Sequence, residues 1–206
     1  MKKGNIEKGK LIVVSGPAGS GKGTVLSLLR RDEKYTISVS ATTRAPRPGE
    51  VDGVNYYFLT REQFEERIAQ GDMLEHAEYC GNFYGTPKRA ADEVLQSGRH
   101  LLLEIEVAGA AQIKAKYPEA LLIMLLPPSF AVQEARLRSR GTETEDKILK
   151  RLATTREELT HLDEYDFVVF NYDGMAEQTA EDIRDIVRGD TAEVLGNKEK
   201  ATHYFD

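Results

Sequence analysis

The spacing of apolar residues along the chain alternates between short buried strands and amphipathic helices. Residues 11–14 are β-favouring and apolar, and a glycine-rich turn and a helical apolar period starting at Val25 follow them. Two more apolar runs, over residues 101–107 and 120–126, predict buried strands separated by a short helix that Pro118 ends. Strands that alternate with helices in this way predict an α/β fold with a mainly parallel central sheet.

Local signals mark where several helices begin. A capping-box pattern at Thr60 and Gln63 predicts a helix that ends at Gly71. Thr86 is predicted to be the N-cap of another helix, with Pro87 at its first helical position. Further along, a helix is predicted over residues 129–140. A second helix is predicted to start at a capping-box pattern formed by Thr142 and Glu145 and to run past Leu159. A strand over residues 166–170 and a last helix over residues 175–187 complete the predicted elements.

Two stretches depart from this alternation. Residues 36–85 contain short β-like pieces, turn residues and one clear helix, and this mixture predicts an inserted subdomain. The residues after Gly189 are mostly polar, which predicts a loosely held tail.

Composition and charge narrow the class of protein. With 206 residues, 40% of them hydrophobic and 30% charged, the chain is predicted to be one soluble globular domain. The longest apolar run, residues 120–126, is far shorter than the roughly 20 residues that cross a bilayer. The polar N-terminus lacks a secretory signal, and the single cysteine, Cys80, cannot form an intrachain disulfide, so we expect a cytoplasmic protein with a reduced thiol. A net charge of −6 argues against nucleic-acid binding.

The strongest chemical signal is the glycine-rich loop between the first strand and the first helix. Its residues are Gly16, Pro17, Ala18, Gly19, Ser20, Gly21, Lys22, Gly23 and Thr24. Backbone N–H groups of such a loop can surround a phosphate, and Lys22 adds a mobile positive charge. Gly23 stands where the Walker A pattern has Ser or Thr, so we expect Mg²⁺ to be held by water and phosphate oxygens, with Thr24 on an α-phosphate oxygen. The loop indicates a nucleoside triphosphate site, and a structural turn that uses glycine for positive φ is the alternative.

Other charged groups fit the same kind of site. Arg44 and Arg47 lie three residues apart on a non-helical stretch and could converge on one phosphate beside Tyr56, although a solvated basic loop would have the same spacing. Glu104 and Glu106 lie two residues apart on a predicted strand and should share one face. That strand ends at the sheet edge where α/β proteins bind ligands; pairing of the carboxylates with a core cation is the alternative.

Basic charge is concentrated between residues 133 and 156, where basic residues outnumber acidic ones by seven to four. Arginines that arrive with a closing lid can neutralise the oxygens of a transferring phosphoryl group and exclude water. Helical i,i+4 salt bridges are the alternative, and we expect them for Arg138, Lys147 and Lys150.

Four motifs follow one another along the chain. They are GPAGSGKGT at 16–24, SVSATTRAPRPGEVDGVNYYF at 38–58, MLEHAEYCGNFYGT at 73–86 and RGTETEDKILKRL at 140–152. Together they resemble the guanylate kinase family over residues 10–173, in the family's order. The resemblance implies a P-loop kinase fold in a single domain, with a mainly parallel sheet flanked by helices. Its parts would be a core of about 1–37, 99–130 and 152–189, a GMP-binding insert of 38–98, a helical lid of 131–151 and a polar tail of 190–206.

The resemblance also implies the reaction ATP + GMP ⇌ ADP + GDP in purine nucleotide metabolism, with Mg²⁺ as cofactor and dGMP as a further acceptor. The resemblance leaves open whether the protein forms a homo-oligomer. The charge-bearing catalytic groups would be Lys22, Arg44, Arg140 and Arg151. ATP would contact the glycine-rich loop, Arg136 and, beside adenine, Asn171. In the GMP site, Arg44, Arg47, Tyr56 and Tyr84 would hold the phosphate, and Ser40, Glu75 and Thr86 would bind guanine, with Gly85 and Glu104 beside them.

The chemistry of guanine supports Glu75 as the residue that selects the base. Guanine presents N1–H and N2–H₂ as adjacent donors, which one carboxylate can accept together. Adenine has no N1–H and would leave the carboxylate facing a lone pair, at a cost of about 1–3 kcal/mol. An ordinary exposed glutamate beside Glu78 is the alternative.

Departures from the family pattern keep other functions open. Glu104 and Glu106 stand where the family has aspartates, and Ala108 where it has glutamine; we expect this region to contact guanine or the water shell of Mg²⁺. A kinase with another acceptor is one alternative, against which Ser40, Glu75, Tyr84 and Thr86 argue together. A non-catalytic binding module on the same fold is the other, against which the intact loop and the lid arginines argue.

Overall fold

A computed structural model describes residues 8–79, 81–139, 141 and 144–206. The strands are β1 (Leu11–Ser15), β2 (Tyr35–Ile37), β3 (Ala41–Thr42), β4 (Tyr57–Phe58), β5 (Met73–Tyr79), β6 (Asn82–Pro87), β7 (His100–Glu104), β8 (Leu121–Leu126) and β9 (Phe167–Phe170). The helices are α1 (Lys22–Leu29), α2 (Arg61–Ala69), α3 (Lys88–Gln96), α4 (Val107–Lys116), α5 (Phe130–Ser139), α6 (Glu145–Leu159), α7 (Ala176–Arg188) and α8 (Asn197–Ala201). Among the described helices, none combines the length and the apolar content that crossing a membrane requires.

Five strands form a central parallel sheet in the order β2-β7-β1-β8-β9. Helices α3, α4 and α8 cover one face and α1 and α7 the other, which is why the central residues of the inner strands are apolar. Alternate residues of β1 therefore enter two different cores: Val13 packs in the cluster that contains Ile113, and Val14 in the cluster that contains Ile183. The predicted α/β fold with a parallel central sheet is confirmed.

A second sheet, in the order β4-β3-β6-β5, is built from residues 41–87. Helix α2 packs its buried Phe64 against Met73 in a small separate core. The capping box predicted for this helix is present: Thr60 Oγ1 accepts from the Gln63 N–H at 3.2 Å, and Gln63 Oε1 accepts from the Thr60 N–H at 2.9 Å. The short strands predicted for this stretch therefore form a sheet, and the one predicted helix packs against it.

Three of the predicted boundaries are wrong. Helix α6 has Thr144 as its N-cap, so the capping box predicted at Thr142 and Glu145 does not start it. Strand β7 ends at Glu104, and Glu106 is the N-cap of α4, so the two carboxylates do not share one strand face. Pro87 is the N-cap of α3, so Thr86 does not cap that helix. The Thr86 hydroxyl donates instead to the buried carboxylate of Glu75 at 2.7 Å. A desolvated carboxylate gains more from this hydrogen bond than a helix terminus open to water.

Residues 190–206 pack against the core, so the prediction of a loosely held tail is wrong. Val194, Asn197, Ala201 and Tyr204 are buried: Val194 packs in the cluster on one face of the central sheet, and Ala201 and Tyr204 pack in the cluster on the other. The side-chain Nδ2 of Asn197 donates to the carbonyl of Val168 on the edge strand β9 at 3.0 Å. A few buried side chains spread through a mostly polar segment give little sequence signal of this packing.

We expect Asn197→Ala to lower the free energy of unfolding by about 1–3 kcal/mol, because it leaves a buried carbonyl without a donor. The measurement is urea unfolding followed by circular dichroism. Lys200→Ala, at an exposed position of the same helix, is the matched control and should change stability little. Equal stabilities for the two variants would contradict the anchoring of this segment.

Candidate active site

A cleft of about 590 Å³ opens at the carboxyl ends of β1 and β7. This is the edge at which open α/β sheets bind ligands. A second chamber of about 270 Å³ adjoins the cleft and extends to β5 and β6. The cleft and the chamber share the lining residues Ser40, Tyr56, Glu104, Ile105 and Glu106. The two spaces are therefore parts of one cavity.

The loop between β1 and α1 borders this cleft in a conformation that only glycine allows. Gly16 has φ 149°, and a Cβ there would lie 2.1 Å from the carbonyl oxygen of Leu125. Gly21 has φ 88°, and a Cβ there would lie 2.3 Å from Nδ2 of Asn171. The loop is thus packed tightly from behind, against β8 and the end of β9.

Each carbonyl of residues 16–20 accepts a hydrogen bond from a side chain. The donors are Lys22 Nζ to Gly16 and, at 3.3 Å, to Pro17; Gln133 Nε2 to Ala18 at 2.9 Å; Arg136 Nη1 to Gly19 at 3.2 Å; and Asn171 Nδ2 to Ser20 at 2.8 Å. In a trans peptide the C=O and the following N–H point in opposite directions. The N–H groups of Gly19 and Gly21 are therefore directed away from these donors, as a loop that binds phosphate requires.

Lys22 is the first residue of α1 and is half-buried at the cleft. Burial lowers its pKa, and the carboxylates of Glu104, Glu158 and Glu106 act in the opposite direction. A desolvated ammonium group bonded to neutral carbonyls gains from an anion that enters the cleft. The lysine is therefore positioned to exchange carbonyl partners for phosphate oxygens.

Arg44 anchors a second cationic position, near Tyr56 and Tyr84. Its Nη2 donates to both carboxylate oxygens of Glu50, at 2.9 and 3.0 Å. Its guanidinium carbon lies 5.5 Å from the centroid of the Tyr56 ring, and the ring of Tyr84 is 6.2 Å from that of Tyr56. Arg47 has an exposed side chain, and its backbone N–H donates to Glu50 at 2.7 Å. The structure thus groups three of the four residues predicted for the acceptor phosphate, with Arg47 at the rim.

Glu50 was not singled out from the sequence, although it is a carboxylate that follows two arginines closely, at positions 44 and 47. The Arg47 N–H, and then the Arg44 guanidinium, hold the pKa of Glu50 below its usual value. Both oxygens of Glu50 accept from the one nitrogen Nη2, and charge-assisted bonds of this kind are those that an arginine also makes with phosphate oxygens. Glu50 therefore holds the guanidinium in a geometry suited to an anion.

Glu75 projects from β5 into the chamber and is only 4% exposed. Thr86 Oγ1 donates to its Oε1 at 2.7 Å, and Thr86 is itself fully buried. Gly109 of α4 comes so close that a Cβ would lie 2.8 Å from Oε2. Burial raises the pKa of Glu75, and the hydrogen bond from Thr86 acts in the opposite direction. The alternative of an ordinary exposed glutamate is therefore wrong.

Three carboxylates line the cleft beside Lys22. Glu104 and Glu106 are exposed, at the end of β7 and the start of α4. Glu158 on α6 was not singled out, because its charge looks like part of an acidic helix surface. Burial raises the pKa of Glu158 from 4.5 to about 7. The positive charge of Lys22 acts to lower this pKa, and the negative charges of Glu106 and Glu157 act to raise it further. Within the described ranges, no group of three or more His, Cys, Asp or Glu side chains is placed to hold a metal ion directly.

The arginine-rich segment contributes unequally to the cleft. Arg151 of α6 lines it. Arg136 of α5 lies behind the loop, where it also donates to the Asn171 carbonyl at 2.8 Å and to Asp173 at 2.6 Å. Arg138 pairs with Glu134 at 2.8 Å and with Glu145, which confirms the helical salt bridge expected for it. Arg140, a predicted catalytic residue, lies outside the described residues, as do Cys80 and Thr142.

Asn171 and Gln133 are the two buried amides behind the loop. The Asn171 side chain also accepts from Thr179 Oγ1 at 3.2 Å, so both of its amide atoms are engaged. Gln133 was not singled out, because a glutamine in an amphipathic helix gives no sequence signal of burial. Ser20 is fully buried, and its N–H donates to the Pro17 carbonyl at 3.2 Å.

Comparison with known proteins gives one family. A family model described as guanylate kinase matches residues 8–189. A guanylate kinase of Trichormus variabilis is 54% identical over 172 residues, covering 83% of this chain and 86% of that protein. One from Clostridioides difficile is 48% identical over 190 residues, covering 92% of each. The crystal structure of guanylate kinase from Anaplasma phagocytophilum superposes with a TM-score of 0.69 at 31% identity, covering 94% of this chain and 93% of that one.

We expect Glu158→Gln to change the pH dependence of stability. Because the pKa of Glu158 is raised in the folded protein from 4.5 to about 7, folding disfavours its ionised form, so the wild type loses stability as pH rises through this interval. The variant escapes this loss. Its free energy of urea unfolding should exceed that of the wild type clearly at pH 8 and little at pH 4.5.

Glu157→Gln, at the exposed neighbouring position, is the control and should show a much smaller pH-dependent difference. A difference for Glu158→Gln that is the same at both pH values would contradict the assignment.

Proposed function

This chain belongs to the guanylate kinase family, and we propose that the cavity at the ends of β1 and β7 holds ATP against the loop of residues 16–24 and GMP in the chamber of Glu75. Like its relatives, it is an ATP:GMP phosphotransferase that produces ADP and GDP. The observation that carries the proposal is the continuity of the two spaces, which share Ser40, Tyr56, Glu104, Ile105 and Glu106. Two phosphates bound in one cavity can be aligned for direct transfer.

On the ATP side, the N–H groups of the loop would receive the β- and γ-phosphates, and the N-terminus of α1 would add its favourable dipole. Lys22 would leave the loop carbonyls for phosphate oxygens, while Thr24, exposed in the first turn of α1, would bond an α-phosphate oxygen. Arg136 and Asn171 would act from behind the loop, with Asn171 at the edge of the adenine.

On the GMP side, the Glu75 carboxylate would accept N1–H and N2–H₂ of guanine together. Thr86 already donates its hydroxyl proton to this carboxylate, so its role would be to orient Glu75. The Ser40 hydroxyl would then serve O6. Gly85 allows the close approach of strands here, because a Cβ would lie 2.7 Å from the Glu75 carbonyl oxygen.

Arg44, Tyr56 and Tyr84 would hold the GMP phosphate, with Arg47 closing from the rim. This phosphate needs no general base, because its second pKa is about 6 and it is mostly dianionic at neutral pH. The attacking oxygen is therefore already deprotonated. Alignment and charge neutralisation remain for the protein to supply.

Mg²⁺ bound with ATP would neutralise charge on the β- and γ-oxygens. The residues present fit such an ion, since Glu104 and Glu106 bring carboxylate oxygens, the ligand type that Mg²⁺ and its water shell prefer, into the cleft beside Lys22. Both would act through water. Lys22, Arg44, Arg140 and Arg151 would stabilise the charge of the transferring group, the last two carried by the segment of residues 131–151.

We expect Glu75→Gln to lower kcat/KM for GMP roughly 10- to 150-fold, because a charged acceptor for two donors is replaced by a neutral amide. The KM for ATP should stay unchanged. The measurement is ADP release with GMP, dGMP, AMP and UMP as parallel acceptors. Wild-type turnover should be confined to GMP and dGMP.

Glu78→Gln is the matched control: the same substitution on the same strand, at an exposed residue. It should leave all four acceptors as in the wild type. If Glu75→Gln kept full activity with GMP, guanine would have to be recognised elsewhere in the cavity.

A further inference from the structure

The side chain of Gln133 is a fully buried amide whose polar atoms are all bonded. Its Nε2 donates to the Ala18 carbonyl of the phosphate loop at 2.9 Å and to Thr155 Oγ1 at 2.7 Å. Its Oε1 accepts the hydroxyl proton of Tyr204 at 3.1 Å. One amide therefore joins the loop, helices α5 and α6, and the C-terminal segment.

Tyr204 is held firmly where it meets this amide. The residue is 2% exposed, and its carbonyl accepts from the Phe130 N–H at 3.0 Å. Its ring lies edge-on to Phe130 and to Phe205, with centroids 6.4 and 5.3 Å apart. Burial raises the pKa of its hydroxyl, so the group stays protonated and remains a donor at any working pH.

On the far side of the amide, the network reaches the helix that lines the cleft. Thr155 Oγ1 accepts from Gln133 and donates to the Arg151 carbonyl at 3.0 Å. Leu137, Ile148 and Leu152 form an apolar cluster on which Ala18 packs. Movement of α6 relative to the loop is thus resisted both by packing and by this hydrogen-bonded chain.

We propose that Tyr204 is a positioning residue for the ATP site, acting through Gln133 on the Ala18 carbonyl. The inference rests on the proposed role of residues 16–24 as the ATP phosphate site. Tyr204 lies in the C-terminal segment, beyond residues 8–189, where the family model matches. That segment is then part of the catalytic architecture and not a passive tail.

The orientation of the Gln133 amide is the physical basis of the effect. With the Tyr204 hydroxyl as donor, only the orientation that turns Nε2 to Ala18 satisfies every partner. Without the hydroxyl, Oε1 is a buried acceptor with no donor, and rotation of the amide would turn an oxygen toward the Ala18 carbonyl. Both outcomes weaken the bond from Nε2 to the Ala18 carbonyl: rotation breaks it, and an unpaired Oε1 removes the polarisation that strengthens donation from Nε2. The loop peptide whose N–H faces the nucleotide is then held less firmly.

The test is Tyr204→Phe, which removes the hydroxyl and keeps the packed ring. We expect the KM for ATP, and the Kd for ADP by isothermal titration calorimetry, to rise roughly 3- to 10-fold, the worth of one neutral hydrogen bond. The KM for GMP should stay within about twofold of wild type, since the chamber of Glu75 has no link to this amide. Tyr35→Phe removes a hydroxyl from another buried tyrosine, on β2 away from the loop, and should change neither constant.

A second variant separates positioning from general loosening. Gln133→Met removes the amide with little change of shape and should raise the KM for ATP by itself. Adding Tyr204→Phe to it should then produce no further rise, because the hydroxyl acts only through the amide. The comparison of the two single variants with the double variant stays valid if a single variant lowers the melting temperature, because KM and Kd are measured well below that temperature.

Three results would overturn the inference: an unchanged KM for ATP in Tyr204→Phe, equal rises for ATP and GMP, or additive effects in the double variant. All of them presuppose a wild type that turns over GMP. Absence of GMP-dependent ADP release in the wild type itself would instead count against the proposed function.

Discussion

The phosphate loop depends on hydrogen bonds that its own backbone cannot supply. Five successive carbonyls, from Gly16 to Ser20, are bonded to side chains that come from α1, α5 and the end of β9. A loop that must offer N–H groups to an anion has to turn its carbonyls away, and buried carbonyls need donors. The central sheet meets this requirement because β1, β8 and β9 end side by side, which brings the donors within reach.

The same reasoning explains how a chain with a net charge of −6 can bind two polyanionic nucleotides. Three cations in or near the cleft are already paired: Lys22 with carbonyls, Arg44 with Glu50, and Arg136 with Asp173. When a phosphate enters, each cation exchanges a protein acceptor for a phosphate oxygen. The protein therefore does not have to hold unpaired positive charges close together beforehand. On the proposed roles, these protein partners hold each cation close to where a phosphate would bind.

The sequence sufficed for the parts of the site that local spacing determines. The β1–α1 loop, Glu75 and the Arg44 group could be predicted because each belongs to a contiguous motif. Thr86 was assigned to a helix cap because local signals alone could not reveal the buried Glu75 across the sheet. Gln133 and Tyr204 could not be predicted as partners, since they are 71 residues apart and meet only in the folded chain.

The most direct test of this account is a crystal structure with a non-hydrolysable ATP analogue and Mg²⁺. We expect the bonds from Gln133, Arg136 and Asn171 to the loop carbonyls to persist, and Lys22 Nζ to move from the Gly16 carbonyl to a phosphate oxygen. A loop whose carbonyls have left these three donors to accommodate the nucleotide would contradict the claim that the fold holds the loop ready for phosphate.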